Sequence, residues 1–104
     1  MSTKTVSLSN PVYEVLIQLT GEANTDAALS SALKDLMALK KQTVQNKIDG
    51  FEKKYGMDFA EFERACDDGR IQDPFSYESE KDDWDWEAAL SEKKTLETFL
   101  QWLA

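Results

Sequence analysis

The sequence predicts a mostly α-helical protein with one short N-terminal β-strand, paired across a dimer, followed by four to five helices, one of them long. Three observations predict this fold class. Apolar residues recur every three, four or seven positions over most of the 104 residues, as on the buried face of a helix. Capping residues, glycines and prolines separate these segments. Residues 3–9 instead alternate apolar and polar side chains, as a half-buried strand does.

The strand segment reads Thr-Lys-Thr-Val-Ser-Leu-Ser. Val6 and Leu8 share one face, and three hydroxyl side chains share the other. A lone strand leaves its backbone N–H and C=O groups unpaired. Because no later segment alternates in this way, we expect the strand to pair with its copy from a second chain.

Two helices are predicted next. The first begins at Asn10-Pro11 and ends at Thr20-Gly21. The second begins at a cap among residues 24–26, and its apolar stripe runs from about 26 to 55. Polar residues 40–42 and Gly50 interrupt the stripe, so it forms either one helix or two that meet near 40–50. A stripe this long favours packing against a twin helix. The predicted dimer contacts are Val6, Leu8, Leu33, Met37, Val44 and Ile48.

The C-terminal half contains signals for shorter elements. Tyr55-Gly56 ends the long helix, and Asp58 with Glu61 has the spacing of a capping box. A short helix is therefore expected at about 58–68. Residues 70–80 contain Pro74 and no clear apolar period, which indicates a loop. A last helix is expected to begin at Asp82 or Asp83. Whether this helix breaks near Ser91 is left open. We divide the chain into a dimerisation module, residues 1–56, and an acidic partner-binding region, residues 57–104.

Composition excludes several kinds of chemistry. The chain has no histidine and one cysteine, Cys66, so it cannot form a Ser-His-Asp or Cys-His catalytic arrangement or an ordinary zinc site. The carboxylates at 82–87 lack the glycine and spacing of a calcium loop. We therefore expect a non-enzymatic protein without a cofactor or metal; carboxylate–magnesium chemistry is the one enzymatic alternative. The lone cysteine and the absence of a signal-peptide core or an apolar membrane span favour the cytoplasm.

The net charge of −8 is concentrated in one segment. Residues 1–60 are neutral, whereas residues 61–92 carry twelve acidic and three basic side chains. Aromatic residues are interleaved with this charge, a combination that suits docking onto a basic protein. In the alternative interpretation Trp84 packs in the core and the carboxylates are only solvated. The predicted partner-binding residues are Phe75, Tyr77, Asp82, Asp83, Trp84, Asp85 and Trp86.

The strand and the two helices after it resemble the ribbon-helix-helix family over about 40% of the chain. The matching stretches are residues 3–9, the helix from Asn10, Gly21 and the segment Ala27-Ala-Leu-Ser-Ser-Ala-Leu-Lys-Asp-Leu-Met. The resemblance implies a dimeric DNA-binding protein, often the antitoxin of a toxin–antitoxin pair. It implies that outward residues of the strand, Thr5, Ser7 and Ser9, read bases. Independently of the resemblance, the N-terminal turn of the second helix, near Asn24 and Thr25, is expected to present backbone N–H groups to a phosphate. The candidate DNA-binding residues are therefore Thr5, Ser7, Ser9, Asn24 and Thr25.

The charge pattern departs from that family. Residues 5–33 contain no lysine or arginine, although neutralising phosphates supplies much of the affinity for DNA. The sequence thus favours an antitoxin-like protein that forms a homodimer or a larger oligomer. Its acidic segment is expected to cover a basic partner such as a toxin, with operator DNA as a further ligand. The alternative is a structural or adaptor helical dimer that binds no DNA.

Overall fold

The chain folds into four α-helices in a computed structural model, which describes residues 3–103. Helix α1 spans Asn10–Thr20, α2 spans Thr25–Tyr55, α3 spans Phe59–Asp67 and α4 spans Tyr77–Leu103. The mostly α-helical prediction is therefore confirmed. Helix α2 is continuous over 31 residues, which resolves the alternative of one helix or two.

The predicted N-terminal strand is wrong. No strand occurs anywhere in residues 3–103, and residues 3–9 are irregular and mostly exposed. Val6 is 62% exposed, so the alternating pattern does not mark a buried face. The physical reason is that the rest of the chain is helical and offers no strand whose backbone groups could pair with this segment. Val6 and Leu8 therefore form no ribbon.

Local capping signals position the helix ends correctly. The Asn24 side chain accepts a hydrogen bond from the Ala27 N–H at 3.0 Å, and Asp58 accepts one from the Glu61 N–H at 2.8 Å. Gly21 and Gly56 follow α1 and α2 with φ of 69° and 68°, a left-handed conformation that glycine adopts without steric cost. These ends confirm the predicted stops of the first two helices.

Helix α4 begins earlier than predicted. Its first residue is Tyr77 rather than a residue after Asp82 or Asp83, and it runs to Leu103 without a break near Ser91. The Ser76 hydroxyl accepts a hydrogen bond from the Ser79 N–H at 3.2 Å, so Ser76 supplies the cap. Residues predicted to lie in a loop, including Glu80, are therefore placed on a helix face.

Helices α2 and α4 pack antiparallel along most of their length. Lys54 pairs with Glu78 near one end of this hairpin, and Lys41 approaches Glu97 towards the other. Between them lies a core of small and aliphatic residues from both helices. Three of the residues predicted to form the dimer interface are thus covered by α4 of the same chain, whereas Leu33 remains half-exposed. The buried residues of this core are Met37, Val44, Ile48, Ala89 and Leu96.

A second, aromatic part of the core lies where α3 meets α2 and α4. Trp86 and Phe62 are fully buried, with ring centroids 5.2 Å apart. Phe51 stacks on Trp86 at 5.4 Å, and Phe59 meets it edge-on at 5.3 Å. Burying rings of this size supplies a large share of the folding free energy. Trp86, predicted to contact a partner, is instead the centre of this cluster.

The molecule is elongated. Its principal extents are 58 × 28 × 19 Å and its Cα radius of gyration is 19.7 Å, against about 13 Å for a compact domain of this length. Helix α1 packs on α2 yet buries none of its own residues. Among the helices in residues 3–103, none combines the length and apolarity needed to cross a membrane.

Candidate partner-binding surface

An acidic cleft of about 260 Å³ lies between α3, the loop after it and the first turns of α4. Glu63, Cys66 and Asp67 share one face of α3 because they are three and four residues apart. The same spacing brings the α4 side chains together on the opposite wall. The residues lining the acidic cleft are Glu63, Cys66, Asp67, Pro74, Phe75, Ser79, Glu80, Asp83 and Trp84.

The four carboxylates of the acidic cleft lack cationic partners. In residues 3–103, the nearby lysines and arginines pair with other acids: Arg64 and Arg70 with Glu61, and Lys81 with Asp85. Arg70 also pairs with Asp68. No ion pair within that range involves Glu63, Asp67, Glu80 or Asp83. Negative charge therefore accumulates in the cleft without internal compensation.

The pKa values of the cleft residues reflect this charge. Burial, with repulsion from Asp83 and other neighbouring carboxylates, raises the pKa of Glu63. Burial and the charge of Glu87 raise the pKa of Asp83, whose Oδ1 is buried without a hydrogen-bond partner. Burial and the charges of Asp83, Asp67 and Glu63 raise the pKa of the Cys66 thiol. A cation entering the cleft would relieve this repulsion.

Two aromatic side chains border the carboxylates. Phe75 is 84% exposed and Trp84 is 69% exposed, and both line the cleft. Tyr77, two residues after Phe75, is also largely exposed. Large aromatic side chains in water next to charge are typical of a contact surface for a partner, because their burial supplies binding energy.

A polar network fixes the wall of the cleft to α2. The Asp82 carboxylate accepts hydrogen bonds from the Tyr55 hydroxyl at 2.5 Å and from Lys54 Nζ at 2.6 Å. Burial raises the pKa of Asp82, but these two hydrogen bonds and the Lys54 charge together lower it below its ordinary value. Burial and the bond to Asp82 raise the pKa of Tyr55 to about 12. This network holds the start of α4, and with it Asp83 and Trp84, in a fixed orientation.

The structure separates the predicted partner-binding residues into three groups. Phe75, Tyr77 and Trp84 are exposed aromatics, and Asp83 lines the cleft. Asp82 and Asp85 are engaged in ion pairs with Lys54 and Lys81. Trp86 lies in the core.

Sequence reasoning missed Glu63 and Cys66 on α3 and did not place Glu80 on a surface with Asp83. The signal for the first pair was their spacing on one helix face. The signal for Glu80 was hidden because its segment was interpreted as a loop.

No family model, curated protein or solved structure matches this chain. A function for it must therefore be argued from the site itself.

The predicted DNA-binding residues do not form the expected reading surface. Thr5, Ser7 and Ser9 are exposed on an irregular segment, and the ribbon that would present them to a groove is absent from the described chain. The Asn24 side chain caps α2, and Thr25 is the first residue of that helix. The structure therefore gives no support to base reading by a ribbon.

The acidic cleft does not resemble a metal centre. Among residues 3–103, no group of three His, Cys, Asp or Glu side chains is arranged so that it could hold a metal ion. The raised pKa of Cys66 keeps the thiol protonated at neutral pH, which makes it a poor nucleophile. What the arrangement can do chemically is attract and hold a cationic group.

Proposed function

We propose that this chain is a non-enzymatic cytoplasmic protein of the antitoxin type whose acidic cleft covers a basic surface of a protein partner. The observation that carries the proposal is the set of four uncompensated carboxylates beside two exposed aromatic side chains. Carboxylates accelerate encounter with a basic surface, and aromatic anchors supply most of the affinity after contact. Its single cysteine is compatible with a reducing compartment.

Arginine is the partner side chain that this surface suits best. A guanidinium group stacks on the face of Trp84 or Phe75 and simultaneously donates paired hydrogen bonds to a carboxylate such as Asp83. The cleft is wide enough for one such side chain, at about 260 Å³. The expected partner therefore presents exposed arginines, as a basic ribonuclease toxin does.

The experiment compares proteins that co-purify with the wild-type chain and with Trp84→Ser, quantified by mass spectrometry. The matched control is Leu39→Ser, which removes an equally exposed apolar side chain from α2, outside the acidic cleft. We expect a basic protein to be retained by the wild type and by Leu39→Ser, and to be depleted roughly tenfold by Trp84→Ser. Retention of the same proteins by all three chains, or loss only from Leu39→Ser, would reject the proposal.

A structural or adaptor role without DNA binding is the second candidate function. The 58 Å length of the molecule favours it, because a rigid helical hairpin can hold two binding surfaces apart. In that case the acidic cleft would be dispensable, and Trp84→Ser would leave every partner bound.

A further inference from the structure

An apolar groove of about 360 Å³ lies between α2 and α4 at the end of the molecule remote from the acidic cleft. Leu33 and Leu36 of α2 form one wall, and Phe99 and Trp102 of α4 form the other. Met37 and Leu96, both buried, form the floor. Trp102 is 73% exposed, and the other three wall residues are about half-exposed. This groove is formed by packing within the chain, yet nothing in residues 3–103 covers it.

We infer that the apolar groove is the contact surface for a second copy of this chain, in a two-fold symmetric dimer. The first argument is area. The chain exposes 7910 Å², against about 5,900 Å² for a compact monomer of its mass. The excess of about 2,000 Å² exceeds the roughly 800 Å² that each partner buries in a standard stable interface. The elongated chain therefore exposes more surface than a compact monomer needs to, and the apolar groove is the part of that surface which a second copy would cover.

The second argument is charge. Residues 10–41 and 93–103, which form this end of the molecule, carry five acidic and five basic side chains. Two copies can approach through a neutral end without repulsion, whereas residues 42–92 carry a net charge of −9 and repel their own copy. Joining the neutral ends also leaves both acidic clefts open. The partner of the groove is therefore a second copy, and the partner of the acidic cleft is a different, basic protein.

Sedimentation equilibrium of the wild-type chain at several concentrations tests the dimer. We expect a mass of twice 11.8 kDa. Leu36→Glu and Trp102→Glu introduce a charge into the apolar centre and should each raise the dimer dissociation constant roughly 30-fold or more, because each change occurs twice in the dimer. The matched control is Leu39→Glu on the same helix. Leu39 is 69% exposed but does not line the groove, so the control should remain dimeric.

A wild-type chain that sediments as a monomer would overturn the inference, and the groove would then serve a different partner. A dimer that Leu39→Glu dissociates and Trp102→Glu does not would place the interface elsewhere. Far-UV circular dichroism identifies any variant that has lost helix. Because Trp102 lies in the last turn of α4 and is largely exposed, Trp102→Glu carries the test alone if Leu36→Glu unfolds. Neither result depends on binding at the acidic cleft.

Discussion

Two glutamates on α3 show how position decides the effect of one side chain. Glu61 pairs with Arg64 and Arg70, and the hydrogen bonds from these two arginines lower its pKa. Glu63, two positions later, lines the acidic cleft, where burial and neighbouring carboxylates raise its pKa. On a helix, two positions are enough to move a side chain to another face. The same residue type is therefore stabilising at one position and destabilising at the other.

Neutralising these two glutamates should change stability in opposite directions. At pH 7 we expect Glu63→Gln to raise the thermal midpoint slightly, because it removes repulsion, and Glu61→Gln to lower it, because it breaks two ion pairs. The pKa of Glu63 is raised above its value in the unfolded chain, about 4.3. The contribution of Glu63 to stability is therefore fully present below that pH and is lost as pH rises through the raised pKa. The lowered pKa of Glu61 means that stability present above about 4.3 is lost as pH falls. Calorimetry at pH 7 and in acid measures both effects. In acid both glutamates are protonated, so the thermal midpoints of the two variants should approach that of the wild type. Midpoints that shift in the same direction at pH 7 would contradict this account of the cleft.

Asp82 carries a second prediction at this scale. Replacing it with asparagine removes a largely buried carboxylate that accepts hydrogen bonds from Tyr55 and Lys54. We expect Asp82→Asn to reduce the free energy of unfolding by about 1 to 2 kcal/mol at neutral pH. Because the pKa of Asp82 is lowered, its contribution is present above about pH 4 and disappears as pH falls further. Urea unfolding of the wild type and of Asp82→Asn, at neutral pH and again well below about pH 4, measures this change.

Asp85→Asn is the control for Asp82→Asn. Asp85 pairs with Lys81 one turn along the same helix, and both side chains are about half-exposed. Exposed pairs of this kind contribute little to stability because water and salt screen them. Equal losses in the two variants would show that burial of the Asp82 network does not matter.

At the scale of the elements, the long helix α2 contains one avoidable weakness. Gly50 lies inside α2, and an added Cβ would meet no atom within 4 Å. Glycine in an exposed helix interior is less favourable than alanine by about 1 kcal/mol, because its unfolded backbone has more freedom. We therefore expect Gly50→Ala to raise the free energy of unfolding by about 0.5 to 1 kcal/mol, measured by urea denaturation.

Gly56→Ala provides the opposite control for Gly50→Ala. Space around Gly56 is equally open, but its φ is +68°. A side chain is strained in that conformation. We expect Gly56→Ala to lower the free energy of unfolding by about 1 kcal/mol. Stabilisation by both substitutions would indicate that α2 does not end at Tyr55.

Elements whose signals are local could be predicted from the sequence, and elements decided by tertiary contacts could not. Asn24, Asp58 and Gly56 act within one turn of the chain, so capping patterns located α2 and α3 correctly. Residues 3–9 alternate like a strand, but a strand exists only with a partner. The first turns of α4 contain no helical apolar period because their exposed residues face the cleft and solvent. That lost period concealed both the true helix start and the position of Glu80.

The whole molecule separates two surfaces of different chemistry. The acidic segment was visible in the sequence as a charge imbalance, but which of its members form a cleft depended on α3 packing beside α4. The apolar groove could not be predicted from the sequence, because its residues belong to the same apolar stripe as residues of the core. Met37 and Leu33 belong to one apolar stripe, yet α4 covers the first and leaves the second half-exposed. A pattern of apolar residues shows which face is buried, but not whether the same chain or another one buries it.

The arrangement of the proposed dimer follows from the charge at the remote ends. A parallel pairing of the two hairpins would bring two segments of charge −9 within one Debye length, about 8 to 10 Å at physiological salt. An antiparallel pairing through the apolar groove places them at opposite ends of a longer particle, where salt screens their repulsion. We therefore expect small-angle scattering of the wild type to give a maximum dimension well above the 58 Å of one chain. Trp102→Glu, as a monomer, should return to about that length. A wild-type dimer no longer than its monomer would indicate the parallel arrangement, and its dissociation at low salt would then reveal the repulsion between the acidic ends.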